Sequence, residues 1–111
     1  MTQIEKIARL MGYKVAERKP DFNYYHIDAD TVGTFDPLSN KADLMDVECA
    51  LVLNIEWHLN QVSAGKYIAV GDIYSEYFRD TQYFADHPDK FTARAHAVCA
   101  VAEQIYDKGQ V

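Results

Sequence analysis

The chain has 111 residues, of which 49% are hydrophobic and 25% charged; these proportions suit one compact core and exclude an intrinsically disordered chain. Lysine and arginine number 11 against 17 aspartate and glutamate residues, a formal net charge of −6. Because proteins bind a phosphate backbone through Lys and Arg, this balance argues against direct nucleic-acid binding. We expect a single domain over residues 1–111.

The charge is unevenly distributed along the chain. Residues 1–20 carry five basic and two acidic side chains, whereas residues 21–60 carry Lys41 as their one cation against eight acidic side chains. An acidic block of this kind favours a host protein partner with a basic surface. The alternative is a solvated face that only keeps the protein in solution.

The sequence around Met1 has no apolar signal-peptide core, and no uncharged apolar run is long enough to cross a bilayer. Cys49 and Cys99 are the two cysteines, far apart and without the spacing of a zinc site. We expect both to be buried free thiols, which suits a reducing cytoplasm and no contact with membranes.

The chain opens with a predicted helix. Thr2 and Glu5 have the spacing of a capping box, an apolar stripe follows at helical intervals, and Gly12 suits the left-handed residue that ends a helix. From Tyr13 the pattern alternates, so residues 13–16 and 24–27 predict an antiparallel hairpin, with a third short strand in residues 31–35.

A second helix is predicted after the loop of residues 35–40. Ser39 or Asn40 is its expected cap, and Asp43 lies in the first turn, where a negative charge complements the helix dipole. Apolar residues on most sides of this segment predict a largely buried helix.

The segment after this helix predicts further strands and one loop. Alternation predicts a strand over residues 55–62, and Gly65 suits a hairpin turn into the next strand. The expected order is a turn at 63–65, a strand at 66–70, a turn at 71–72, a strand at 73–78 and a loop at 79–89.

The last predicted element is an alanine-rich helix. Its cap is Asp89 or Thr92, it ends at Gly109, and one apolar face runs along it. Together these elements predict an α+β fold, an antiparallel β-sheet flanked by about three α-helices.

No catalytic, cofactor or metal site is expected. The four histidines, His26, His58, His87 and His96, fall on different predicted elements without the spacing of metal ligands. The chain also lacks a nucleophile elbow and the glycine-rich loops that bind phosphates. We therefore expect a protein that is not an enzyme.

The most unusual chemistry lies in the tyrosine-rich segment of residues 74–84. Tyrosine suits interfaces because its ring adds contact area at a small rotamer cost; the alternative is that about half of these rings complete the core. The predicted partner-binding residues are Tyr74, Glu76, Tyr77, Phe78, Asp80, Tyr83 and Phe84, with Asp43 and Asp46 from the acidic block.

Three stretches of the chain resemble the phage ABA sandwich domain family of small phage and prophage proteins. They are residues 7–15, where a helix ends in Met-Gly-aromatic before a strand, the aromatic-x-Pro loop of residues 35–40 leading into Ala42 and Asp43, and the alanine-rich residues 93–102. The resemblance implies an antiparallel sheet flanked by helices and an accessory role in the cytoplasm of a bacterial host. It implies no catalytic residues.

The leading hypothesis is a binding protein that occupies a surface of a host protein. If that host protein handles nucleic acid, as a CRISPR effector does, the carboxylates could compete with phosphate for its Lys and Arg. One alternative is a small-ligand binder or enzyme that uses His26 or His58 with nearby tyrosines. The other is a homodimeric structural domain that associates through its aromatic segment.

Overall fold

A computed structural model describes the backbone of residues 1–20, 23–51, 54–58, 66–73 and 76–109, and the side chains of these ranges apart from 54–58, 66–69, 72–73 and 76. The described elements form an α+β fold, which confirms the predicted class. They are α1 (Gln3–Leu10), β1 (Lys14–Arg18), β2 (Asn23–His26), β3 (Val32–Thr34), α2 (Lys41–Ala50), β4 (Asn54–His58), β5 (Lys66–Ile73), β6 (Glu76–Tyr83), a 3-10 helix (Phe84–Asp86) and α3 (Lys90–Gly109).

Both ends of α1 are fixed by local hydrogen bonds. Thr2 Oγ1 accepts a hydrogen bond from the Glu5 N–H at 3.2 Å, which confirms the predicted cap. Gly12 has φ 82°, and the Tyr13 N–H donates to the Ala8 carbonyl at 2.9 Å. These are the features of a Schellman motif, and the motif turns the chain directly from α1 into β1.

The first sheet has the order β1-β2-β3 and is antiparallel, as predicted. Its register contains a β-bulge, because Val15 pairs with Tyr25 and Arg18 pairs with Asn23, with the unpaired residue Ala16 between them. Residues that pair across a ladder share a face of the sheet. The bulge therefore brings Arg18 to the same face of the sheet as Val15. Without the bulge, strict alternation would place Arg18 on the opposite face.

The prediction for α2 is confirmed at its cap and wrong in its burial. Asn40 Oδ1 accepts a hydrogen bond from the Asp43 N–H at 3.0 Å. Only Leu44 and Val47 are buried, whereas Met45 is 62% exposed, because α2 packs mainly against one neighbour, α3. The exposed face also carries Cys49, so the prediction of a buried thiol is confirmed for Cys99 and wrong for Cys49.

The second sheet has the antiparallel order β4-β5-β6. Gly71 and Asp72 lie within β5, opposite Phe78 and Tyr77, so the predicted turn at 71–72 is wrong. The predicted loop over 79–89 is also wrong in its first half, because β6 continues to Tyr83. Pairing along all of β5 supplies backbone hydrogen bonds that override the local turn preference of Gly-Asp. The predicted turn at 63–65, the second half of the strand at 55–62 and residues 74–75 lie outside the described residues.

The core is organised around α3. The helix packs against α1, α2, β5 and β6, and Asp89 caps it by accepting a hydrogen bond from the Thr92 N–H at 2.7 Å. Its alanines allow the sheet and the other helices to approach closely. The buried residues of α3 are Ala93, Ala95, Ala97, Val98, Cys99, Val101, Ala102 and Ile105.

Candidate functional site

The predicted aromatic segment is divided between the two faces of β6. Tyr77 is 65% exposed and Tyr83 is 50% exposed, and Arg79 between them is also exposed. Phe78 points the other way into the core and is 8% exposed. Alternation along the strand explains the division, since side chains two apart share a face. We call Tyr77, Arg79 and Tyr83 the outer face of β6.

The inner side of β6 is held by polar contacts within the molecule. Gln82 Nε2 donates to Asp80 Oδ2 at 2.7 Å, and Gln82 Oε1 lies 2.9 Å from His87 Nε2. Asp80 is half-buried. The structure therefore gives Asp80 a role in fixing the segment after β6, on the opposite face from Tyr77 and Tyr83.

His87 and His96 come together although they are nine positions apart in the sequence. Their rings are stacked with centroids 4.8 Å apart and an interplanar angle of 26°. Burial of the imidazole, and then the charge of His87, lower the pKa of His96, while Asp80 acts in the opposite direction. No spacing in the sequence indicated this pair, because Pro88 and the helix cap Asp89 lie between His87 and the start of α3, which carries His96.

Phe84 lies at the start of the 3-10 helix and is half-buried. Lys90 Nζ lies 5.6 Å from its ring centroid, within the range of a cation–π contact. This predicted partner-binding ring is thus engaged with α3. Tyr74 lies outside the described residues, and the side chain of Glu76 is not described.

Asp43 and Asp46 belong to a different part of the molecule. Asp43 Oδ2 accepts a hydrogen bond from the Asp36 N–H at 2.9 Å, so this carboxylate braces the loop before α2. Asp46 is exposed. Burial of the Tyr13 phenol raises its pKa, and the charges of Asp46 and Asp43 raise it further, which places both acids near the end of α1.

Among the described strands, β6 lies at one edge of its sheet. Gln104 Nε2 of α3 donates to the Arg79 carbonyl at 3.3 Å. Alternate residues of an edge strand direct their N–H and C=O groups outward. Gln104 covers one point of an edge that a partner's backbone could otherwise extend.

The histidine-based alternative finds little support in the described cleft around His26. That cleft has a volume of about 290 Å³ and is lined by Lys14, His26, Ile27 and Asp28 among others, with no tyrosine. The side chain of His58 is not described. Among the described residues, no three His, Cys, Asp or Glu side chains converge so that they could hold a metal ion.

Within the described part of the chain, no helix has the length and apolar character needed to cross a membrane. Comparison of the chain with protein-family models, curated proteins and solved structures found no match. The resemblance to the phage ABA sandwich domain family therefore stays a prediction.

Proposed function

We propose that this protein acts by binding a host protein, and that the outer face of β6 is its contact surface. The observation that carries the proposal is the exposure of Tyr77 and Tyr83 on one face of an edge strand. Large exposed aromatic side chains beside an arginine are the residue types that dominate binding energy at interfaces. Tyrosine also tolerates the wet rim of such a surface, because its hydroxyl can keep a hydrogen bond to water.

The proposed partner has a basic surface. The chain carries a net charge of −6, and Asp28, Asp30 and Asp46 of its acidic block are exposed. A negative field of this kind steers basic partners toward the protein and accelerates association. Asp36 and Asp43 are engaged in holding the loop before α2, so we assign them no direct contact.

We further propose an accessory role in the cytoplasm of a bacterial host, in line with the resemblance to small phage and prophage proteins. A nucleic-acid-handling or defence complex such as a CRISPR effector is the partner class that this chemistry suits. The Lys and Arg side chains that hold phosphate in such a complex give it the basic surface that the negative charge of this chain attracts.

The test is affinity capture from a bacterial host lysate with three tagged chains. They are the wild type, Tyr77→Ser/Tyr83→Ser, and Val32→Ser/Met45→Ser as the matched control. Val32 and Met45 are 52% and 62% exposed on β3 and α2, so the control removes similar apolar exposure elsewhere. Circular dichroism of all three chains checks that each is folded.

The proposal predicts one host protein that the wild type and the control retain and the tyrosine variant loses. Its retention should fall with rising salt, because the attraction between exposed charges is screened. Equal retention by all three chains would contradict the assigned surface. If the wild type instead retains only itself, as a dimer in light scattering that the tyrosine variant lacks, the self-association alternative is favoured.

A further inference from the structure

A cleft between α1 and β1 lies outside the proposed contact surface. Its volume is about 410 Å³, within the range of small-molecule sites. The Schellman turn at Gly12 and the bulge at Ala16 shape it, since the turn sends β1 back beside α1 and the bulge brings Arg18 to the α1 side. The side chains that matter are Glu5, Arg9, Tyr13, Lys14, Arg18 and Tyr25.

The mouth of this cleft is positive in an otherwise acidic protein. Arg9 and Lys14 are exposed there, and neither has an ion-pair partner among the described residues. Arg18 is the third cation, and it is paired with Glu5. Two cations thus stand uncompensated beside one opening, an arrangement that concentrates small anions.

Glu5 lies in the wall of the cleft and holds one of its cations. Its side chain is 7% exposed, and Arg18 Nη1 lies 2.5 Å from Glu5 Oε1. The charge of Arg18 is therefore compensated within the cleft, and Arg9 and Lys14 carry the net positive charge of the opening.

The remaining wall is apolar and aromatic. Tyr25 is 2% exposed and packs edge-to-face on Phe35, with ring centroids 6.1 Å apart. Tyr13 packs on the same ring with centroids 5.2 Å apart. Because Phe35 fixes both tyrosines, the wall is preorganised and a planar ring would meet it without reordering the protein.

We propose that this cleft binds a small phosphate-bearing molecule with a planar ring, of which a mononucleotide is the simplest example. The phosphate lies at Arg9 and Lys14, whose two positive charges match its charge at neutral pH. The ring lies beside the tyrosines of the wall.

The test is isothermal titration calorimetry of the full chain with adenosine monophosphate as the probe. Adenosine and inorganic phosphate are titrated separately. Arg9→Gln/Lys14→Gln removes the two cations at the mouth, and Lys41→Gln/Lys108→Gln is the matched control, which removes the same charge from α2 and α3. Tyr77→Ser/Tyr83→Ser is included because the outer face of β6 plays no part in this proposal.

The proposal predicts that adenosine monophosphate binds more tightly than either fragment. Arg9→Gln/Lys14→Gln should weaken its binding roughly ten- to hundredfold, as expected for the loss of two charge-assisted contacts, and the control and the tyrosine variant should bind as the wild type does. Absence of binding, equal binding to Arg9→Gln/Lys14→Gln, or equal affinity for inorganic phosphate alone would overturn it.

Discussion

Arg18 contacts Glu5 because a β-bulge places the two side chains on the same side of the first sheet. Arg18 Nη1 lies 2.5 Å from Glu5 Oε1, and the side chains are 62% and 7% exposed. The pair therefore joins a buried carboxylate to a cation that remains in contact with water. Strict alternation along β1 would have turned Arg18 away and left the carboxylate buried without a charge partner.

Replacing Arg18 by methionine should lower the free energy of unfolding by about 1–2 kcal/mol, because the buried carboxylate of Glu5 loses its cation. The loss is no larger because Arg18 is mostly exposed and solvent screens the ion pair. The same replacement in a Glu5→Gln background should cost less than about 0.5 kcal/mol, since a neutral amide needs no cation. Urea denaturation of the four chains measures both differences. An equal loss of unfolding free energy in the two backgrounds would show that the ion pair between Arg18 and Glu5 does not stabilise the fold.

Lys19→Met is the matched control for this cycle. Lys19 Nζ lies 2.8 Å from Glu17 Oε1, and both side chains are well exposed, at 44% and 57%. Exposed ion pairs contribute little to stability, so Lys19→Met should lower the free energy of unfolding by less than about 0.5 kcal/mol.

Gly12→Ala should lower the free energy of unfolding by about 1–2 kcal/mol, because φ 82° is unfavourable for a residue with a Cβ. No atom lies within 4 Å of the added Cβ, so the cost comes from the backbone alone. Gly109→Ala, at the end of α3, is the control and also meets open space. It should leave stability unchanged or raise it slightly. Similar effects at the two positions would contradict this account.

The two cysteines should react differently with a thiol reagent. Burial raises the pKa of Cys99 to about 12, and its side chain is inaccessible, whereas Cys49 is exposed on α2. Because the thiolate is the reactive species, the native wild type should react rapidly at Cys49 alone and the Cys49→Ser variant only slowly. Both cysteines of the wild type should react in denaturant. Rapid reaction of native Cys49→Ser would show that Cys99 is accessible.

The stability of the fold should fall as the solution becomes acidic, in part through His96. Burial and the nearby His87 hold the pKa of His96 below its usual value, so the folded state favours the neutral ring. This contribution is complete above the pKa of the unfolded chain, near 6.5, and is lost as the pH falls through the lower pKa of the folded chain.

Denaturation midpoints at several pH values between about 7.5 and 5 measure this effect. The loss of stability should be smaller in His96→Gln than in the wild type. His26→Gln, which replaces an exposed histidine on β2, is the control and should follow the wild type. If the denaturation midpoint of His96→Gln falls with pH as steeply as that of the wild type, protonation of His96 does not contribute to the loss of stability.

The start or end of a helix could be predicted from the sequence where one residue determines the local backbone conformation. Helix caps act within one helical turn, and the structure confirms the cap at Thr2 and the stop at Gly12. Of the two caps expected for each later helix, it shows Asn40 and Asp89. Turn preference failed at Gly71 because a complete neighbouring strand outweighs a local tendency.

The arrangement of side chains in space was harder to predict. The alternation of polar and apolar residues does not predict the bulge at Ala16, yet the bulge determines on which face of the first sheet Arg18 lies. The stacking of His87 on His96 depends on how Pro88 and Asp89 lead the chain from His87 into α3. The aromatic segment was predicted either to bind a partner or to place about half of its rings in the core, and composition did not say which rings. Continuation of β6 turns Phe78 inward and leaves Tyr77 and Tyr83 exposed.

The dissociation constant of the captured partner is the most direct test of whether the outer face of β6 binds a host protein. For Tyr77→Ser/Tyr83→Ser we expect an affinity weaker by about a hundredfold or more, because two interface hot spots are removed, whereas Val32→Ser/Met45→Ser should bind about as tightly as the wild type. An unchanged dissociation constant in the tyrosine variant, or a wild-type chain that captures no host protein, would show that this face is not the contact surface.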